Sequence, residues 1–213
     1  MKAQADEIII LGTGETFEAC PFDKETWAVA KILLFTHDHF KNKLPKGYHK
    51  NIDVLFNIDK VDEMLTFTDP KWMASGWTLE KYIKLVNDLK IPFITSFPVK
   101  GFTHLEEYPL KEVVEAFQNY YFTNSICYMI AYAILTSVKR IDLWGVNQHG
   151  MKEYVNERKG VEFWIGLAMG HGIQFQINGP SHLLKNEAKV MYGYKRPYEE
   201  LRDYFNIDFY GNN

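Results

Sequence analysis

Apolar residues along this chain come in short continuous runs that alternate with stretches of helical spacing. Glu7-Ile8-Ile9-Ile10-Leu11 is an uninterrupted, mostly β-branched run that stops at Gly12-Thr13-Gly14. A strand covered on both faces reads this way, as parallel strands do. Trp27 to Phe35 is a second apolar run, halted by Thr36-His37-Asp38-His39, and Ile52 to Phe56 is a third. Thr78-Leu79-Glu80-Lys81 opens a helix, followed by apolar Tyr82, Leu85, Val86 and Leu89 at helical spacing. Ile91 to Thr95 returns to strand character, and Pro109 to Tyr120 reads as a short amphipathic helix. Thr123-Asn124-Ser125 supplies N-cap chemistry, with Ser125 the expected cap, for an apolar helix over 126–136. Arg140 to Val146 is then a strand, Glu157 to Met169 a helix closed by Gly170-His171-Gly172, and Ile173 to Ile177 the last strand. This alternation predicts an α/β three-layer sandwich with a mostly parallel sheet.

No repeat, linker or low-complexity stretch divides the 213 residues. One domain over 1–213 is expected, with an aromatic C-terminal arm at about 186–213. Aromatics reach 15%, a fraction that fits a bulky core better than a set of stacking surfaces. The formal net charge of −3 lacks the basic excess of a duplex-binding surface. Nucleic acid therefore stays a secondary candidate, as an acceptor met by local pairs such as Lys139-Arg140 or Lys195-Arg196. Cys20 and Cys127 match no metal spacing and form no disulfide framework, which points to a reducing compartment. The first residues lack the apolar run of a signal peptide. The longest apolar run, Ile126 to Leu135, is half what a bilayer needs. A cytoplasmic protein is expected, in the host cytoplasm if the chain is viral, with no membrane contact; oligomeric state is not legible.

The glycine loop carries the first functional signal. A Gly-rich turn straight after the first strand lets a ligand approach the backbone, whose N–H groups then accept phosphate. Gly12, Thr13, Gly14, Glu15 and Thr16 are candidate nucleotide-binding residues on this ground. Phe17 stands where the dinucleotide fingerprint wants its third glycine, and Glu15 would set a carboxylate beside a pyrophosphate. Asp38 lies about where an acidic ribose ligand would fall, so an NAD site stays a weaker alternative, beside a purely structural turn.

With these residues in place, the chain resembles the bacterial sialyltransferase-like fold, a Rossmann-like architecture. Ile8 to Thr16 is similar to its opening strand and loop. Thr123-Asn124-Ser125, the apolar helix, and Lys139 to Asn147 are similar to its later Thr-Ser-Gly, helix and strand segments. The chain also resembles Rossmann-like bacteriophage proteins of unknown function, through Pro21, Trp27 and the run Glu162, Trp164, Gly166, Leu167 and Ala168. The resemblance implies a cytidine-type nucleotide held by Gly12, Thr13, Gly14, Asn124 and Ser125. It departs from the family pattern at Glu15-Thr16 and at Asn147, where the family has Pro-Ser and Asp.

A general base for an acceptor hydroxyl needs a pKa near neutrality, which histidine supplies. His37 and His39 follow a strand end, and His149 follows Asn147-Gln148; all three are candidate catalytic bases, and each also reads as a solvated loop residue. No third ligand accompanies His37 and His39, so no metal is expected. Asn147 is a candidate for a ribose or base edge. Arg158 is a candidate phosphate ligand, oriented by Glu162, although an Arg158–Glu162 pair at i, i+4 is the more ordinary explanation. The functional expectation is a glycosyltransferase-like transferase taking a nucleotide-sugar donor and needing no further cofactor. A non-catalytic, nucleotide-sequestering phage protein and an NAD-linked oxidoreductase are the alternatives.

Overall fold

The computed structural model describes residues 5–34, 47–66, 77–148, 152–185, 191–193 and 200. Its centre is a seven-stranded sheet in the order β5-β4-β3-β2-β1-β6-β7, every neighbouring pair parallel. The strands are β1 (Glu7–Leu11), β2 (Glu25–Val29), β3 (Val54–Asn57), β4 (Phe93–Thr95), β5 (Leu105–Glu107), β6 (Arg140–Trp144) and β7 (Gln174–Ile177). The helices are α1 (Val61–Thr66), α2 (Leu79–Leu89), α3 (Leu110–Phe117), α4 (Ser125–Leu135) and α5 (Lys152–Gly170).

β1 is an interior strand, and its sequence says why. Ile8 and Ile10 point to one face of the sheet, Ile9 and Leu11 to the other, and all four are fully buried. A strand with two apolar faces must be covered twice. α3, α4 and α5 cover the first face, where Trp27, Phe56, Tyr132 and Trp164 are buried. α2 and two short 3-10 segments, at 15–19 and 30–34, cover the second. This is the α/β three-layer sandwich, with a wholly parallel sheet among the described residues. Helix α4 is apolar almost all round, and its buried residues run from Ile126 through Ile134. Such a helix suits a position wedged between a sheet and other helices.

Helix α2 starts as its sequence suggests, with the Thr78 hydroxyl accepting the Lys81 N–H at 3.4 Å. α5 begins several residues earlier than its apolar pattern indicates. α1 and β5 carried no clear local signal, being six and three residues long. No described helix is long and apolar enough to cross a membrane.

Candidate functional site

The chain lays strands β1 to β5 to one side, then crosses back so that β6 pairs with the far edge of β1. The sheet therefore reverses its winding between β1 and β6. In open parallel sheets the loops at the carboxyl ends part at such a point and leave a crevice. A cleft of about 570 Å³ opens there, within the range of small-molecule sites.

Its walls come from six places in the chain. The loop after β1 gives Gly12, Thr13, Gly14 and Glu15, and the loop after β6 gives Gly145, Val146, Asn147 and Gln148. The end of β2 gives Val29, Ala30 and Lys31, and β3 with α1 gives Asn57, Asp59 and Glu63. Asn124, Ser125 and Ile126 come from the start of α4, and Glu157 from α5.

The two glycine loops are bolted together. Gly12 N–H donates to the Trp144 carbonyl at 2.8 Å, and Gly14 N–H to the Gly145 carbonyl at 2.7 Å. Thr16 is turned inward: its hydroxyl accepts the Gly145 N–H at 2.8 Å. The Asn147 side-chain oxygen accepts from Thr16, and its amide nitrogen donates to the Pro180 carbonyl. Asn147 thus lines the cleft with both ends of its amide already engaged by protein. The glycines make room for each other's backbone. A β-carbon on Gly12 would strike the Gly145 carbonyl, and Gly145 itself needs its left-handed φ of +66°. Phe17, at the missing third-glycine position, is buried against Gly145.

The start of α4 is the other polar element. Asn124, not Ser125, is the N-cap: its side-chain oxygen accepts the Cys127 N–H at 3.2 Å. The chain reaches extended φ/ψ at Asn124, so the cap falls one residue earlier than expected and Ser125 is the first helical residue. The first N–H groups of a helix have no partner within it and carry its positive end. Those of Ser125 and Ile126 make no hydrogen bond with any described residue and lie at the cleft wall. Behind them Cys127 is fully buried, and its thiol pKa is raised by that burial.

Of the residues that sequence reasoning selected, Gly12, Thr13, Gly14, Glu15, Asn124, Ser125 and Asn147 line one cleft. Arg158 does not: its Nε pairs with Glu162 at 3.3 Å, and Glu162 also accepts the Leu184 N–H. His37, His39 and His149 lie outside the described residues, as does Asp38. Lys31, Asn57, Asp59, Glu63, Gln148 and Glu157 escaped the sequence reading. Asn57 and Asp59 had a signal, since polar residues closing a buried apolar strand sit where parallel sheets bind ligands. Among the described lining residues, four carboxylates (Glu15, Asp59, Glu63, Glu157) face one lysine. No three His, Cys, Asp or Glu side chains among the described residues are grouped to hold a metal.

No protein-family model matches the sequence, and no curated protein matches it significantly. Among solved structures, the sialyltransferase CstII of Campylobacter jejuni in complex with the substrate analogue cytidine-5'-monophosphate is 16% identical. That match covers 83% of this chain and 79% of the other, at a TM-score of 0.43. The α-2,3-sialyltransferase of the same organism in apo form is 15% identical over 83% and 76%, at 0.44. The monofunctional α-2,3-sialyltransferase Cst-I of that organism reaches 14% identity and 0.36 over 83% and 77%. The likeness is distant.

Proposed function

We propose that the cleft binds a nucleotide or nucleotide sugar and that the protein is a glycosyltransferase-like transferase. The observation that carries this reading is the convergence of the β1 glycine loop and the open N-terminus of α4 on one cleft of suitable size. Phosphate oxygens would accept from the N–H groups of Ser125 and Ile126, and from the Ser125 hydroxyl. Charge on a leaving phosphate would be held by these fixed dipoles, which need no reorganisation during the reaction. In the transfer step the bond from the donor's anomeric carbon to phosphate oxygen breaks, and one to the acceptor oxygen forms. The acceptor proton passes to a base, for which His149, His37 and His39 are the candidates. The acidic lining tells against a polyphosphate, because four carboxylates would repel it. Glu15 on the cleft wall and Phe17 in the core likewise disfavour an NAD site.

The test is a thermal-shift and calorimetry panel of nucleoside mono- and diphosphates, nucleotide sugars and NAD, followed by a nucleotide-release assay on any hit. A native-state ligand raises the midpoint by mass action. A pyrimidine nucleotide or its sugar should bind, and the sugar nucleotide should release free nucleotide when an acceptor sugar is present. Binding without release replaces the transferase by a sequestering protein, and silence across the panel removes the nucleotide reading altogether.

A further inference from the structure

Glu157 stands apart from the other three cleft carboxylates because the protein has fixed its position from both sides. The Thr123 hydroxyl donates to the Glu157 backbone carbonyl at 2.8 Å. One turn on, Gly160 seats α5 so closely on Thr123 that a β-carbon there would overlap the threonine side chain. α5 is thereby clamped to the residue just before the α4 cap. The Asn124 amide, oriented by its capping bond to Cys127, donates from Nδ2 to Glu157 Oε2 at 3.1 Å. Gln148 donates to the same oxygen at 3.4 Å. Both amides are spent on one oxygen. The second, Oε1, has no hydrogen-bond partner in the described protein, although Glu157 lines the cleft. Gln148 adds to the demand, since its own Oε1 is buried without a partner. Its amide cannot be turned round to cure this, because its oxygen would then face the Glu157 carboxylate.

This corner offers acceptors and lacks donors, next to a helix terminus that offers donors and lacks acceptors. A ligand matching both has a phosphate for the α4 terminus and hydroxyl groups for Glu157. Building on the nucleotide reading of the cleft, we propose that Glu157 is its specificity-determining residue, with Oε1 accepting hydrogen bonds from sugar hydroxyls of the ligand. Hydrogen bonds to an ionised acceptor are among the stronger ones. The hydroxyls belong either to the nucleotide's ribose or to a sugar attached to it.

The experiment compares calorimetric affinities of cytidine and uridine 5'-monophosphates, their 2',3'-dideoxy forms, and the corresponding sugar nucleotides, on the wild type and two variants. The wild type should bind ribonucleotides about tenfold or more tighter than dideoxynucleotides if ribose is the source. If the attached sugar is the source, the same margin separates sugar nucleotides from bare nucleotides. Glu157→Ala should erase that margin in a variant that still folds, while the dideoxy affinity does not fall, because a carboxylate that repels phosphate has been removed. Glu157→Gln should shrink it, because the two amide donors would claim its carbonyl and turn its NH2 toward the ligand, leaving a neutral donor where the wild type has an ionised acceptor. A margin that survives in both folded variants overturns the role of Glu157 and leaves the nucleotide reading standing. Failure of every nucleotide to bind the wild type overturns both.

Discussion

A β-carbon on Gly14 would meet the Asn147 side-chain oxygen and lie 2.8 Å from the Gly145 carbonyl oxygen. The strain falls on backbone that cannot swing aside. Gly14→Ala should therefore cost about 1–3 kcal/mol of stability, an overpacking penalty visible as a lower urea midpoint. A larger residue at Gly12 or Gly14 would therefore disturb the fold and could not serve only to block a ligand. The space is occupied by the neighbouring loop before any ligand arrives. Ser125 is the cleaner probe. It is the first residue of α4, its hydroxyl has no partner in the described protein, and Asn124 does the capping. Ser125→Ala should leave stability within about 0.5 kcal/mol and weaken nucleotide binding, as measured by calorimetry. A fall in stability with unchanged affinity would remove Ser125 from the site.

Helix α5 carries two interior glycines that ought to behave in opposite ways. Gly166 faces open space, with no atom within 4 Å of where a β-carbon would stand, whereas Gly160 presses on Thr123. Gly166→Ala should stabilise by about 0.5–1 kcal/mol through helix propensity alone. Gly160→Ala gains the same propensity yet should be net destabilising, because Cγ2 of Thr123 would lie 2.8 Å from the new methyl. Thermal midpoints of the two variants moving in the same direction would refute the clamp between α5 and α4. Elements of this kind were unevenly legible in the sequence. β1, α2, α4 and β6 announced themselves because each carries an unbroken or periodic apolar run that the fold buries. β5 did not: Leu105-Glu106-Glu107 is a three-residue edge strand, and charge on an edge suits its exposure while erasing its hydrophobic signature. The cleft divided similarly. The glycine loop and the start of α4 have local signatures and were found, although the cap fell on Asn124 and not on Ser125, whereas Glu157 has none. Its place beside Asn124 depends on how α5 packs against α4, and nothing near it in the sequence records that.

The aromatic core governs how the whole molecule responds to alkali. The hydroxyls of Tyr48, Tyr82 and Tyr108 donate to the carbonyls of Ile32, Ala30 and Tyr128, each at 2.9 Å. Burial raises the pKa of all three, Tyr48 to about 12, and carries the Cys20 thiol to about 12 as well. Lys24 is also raised, chiefly by its hydrogen bond to Asp142 at 2.7 Å. In every case the folded state keeps a proton that the unfolded chain releases sooner. Their stabilisation is full below the unfolded values, near pH 9–10, and is lost as pH rises toward about 12. Urea midpoints should accordingly fall between about pH 8 and about pH 11, with the tyrosinate absorbance of Tyr48, Tyr82 and Tyr108 appearing only on unfolding. Ionisation of the full set of tyrosines while the protein stays folded would contradict the burial. Another consequence follows from the placement of β1. It takes β2 along one edge early in the sequence, but its other edge waits for β6, so that Ile10 comes to lie against Leu143. A chain emerging from the ribosome must hold its most apolar strand at an open rim until β6, more than 125 residues further on, has been made. Pairings so distant in sequence form slowly, and exposed strand edges invite wrong partners. For this protein the hazardous interval is its own synthesis, ending for β1 when β6 takes its open edge.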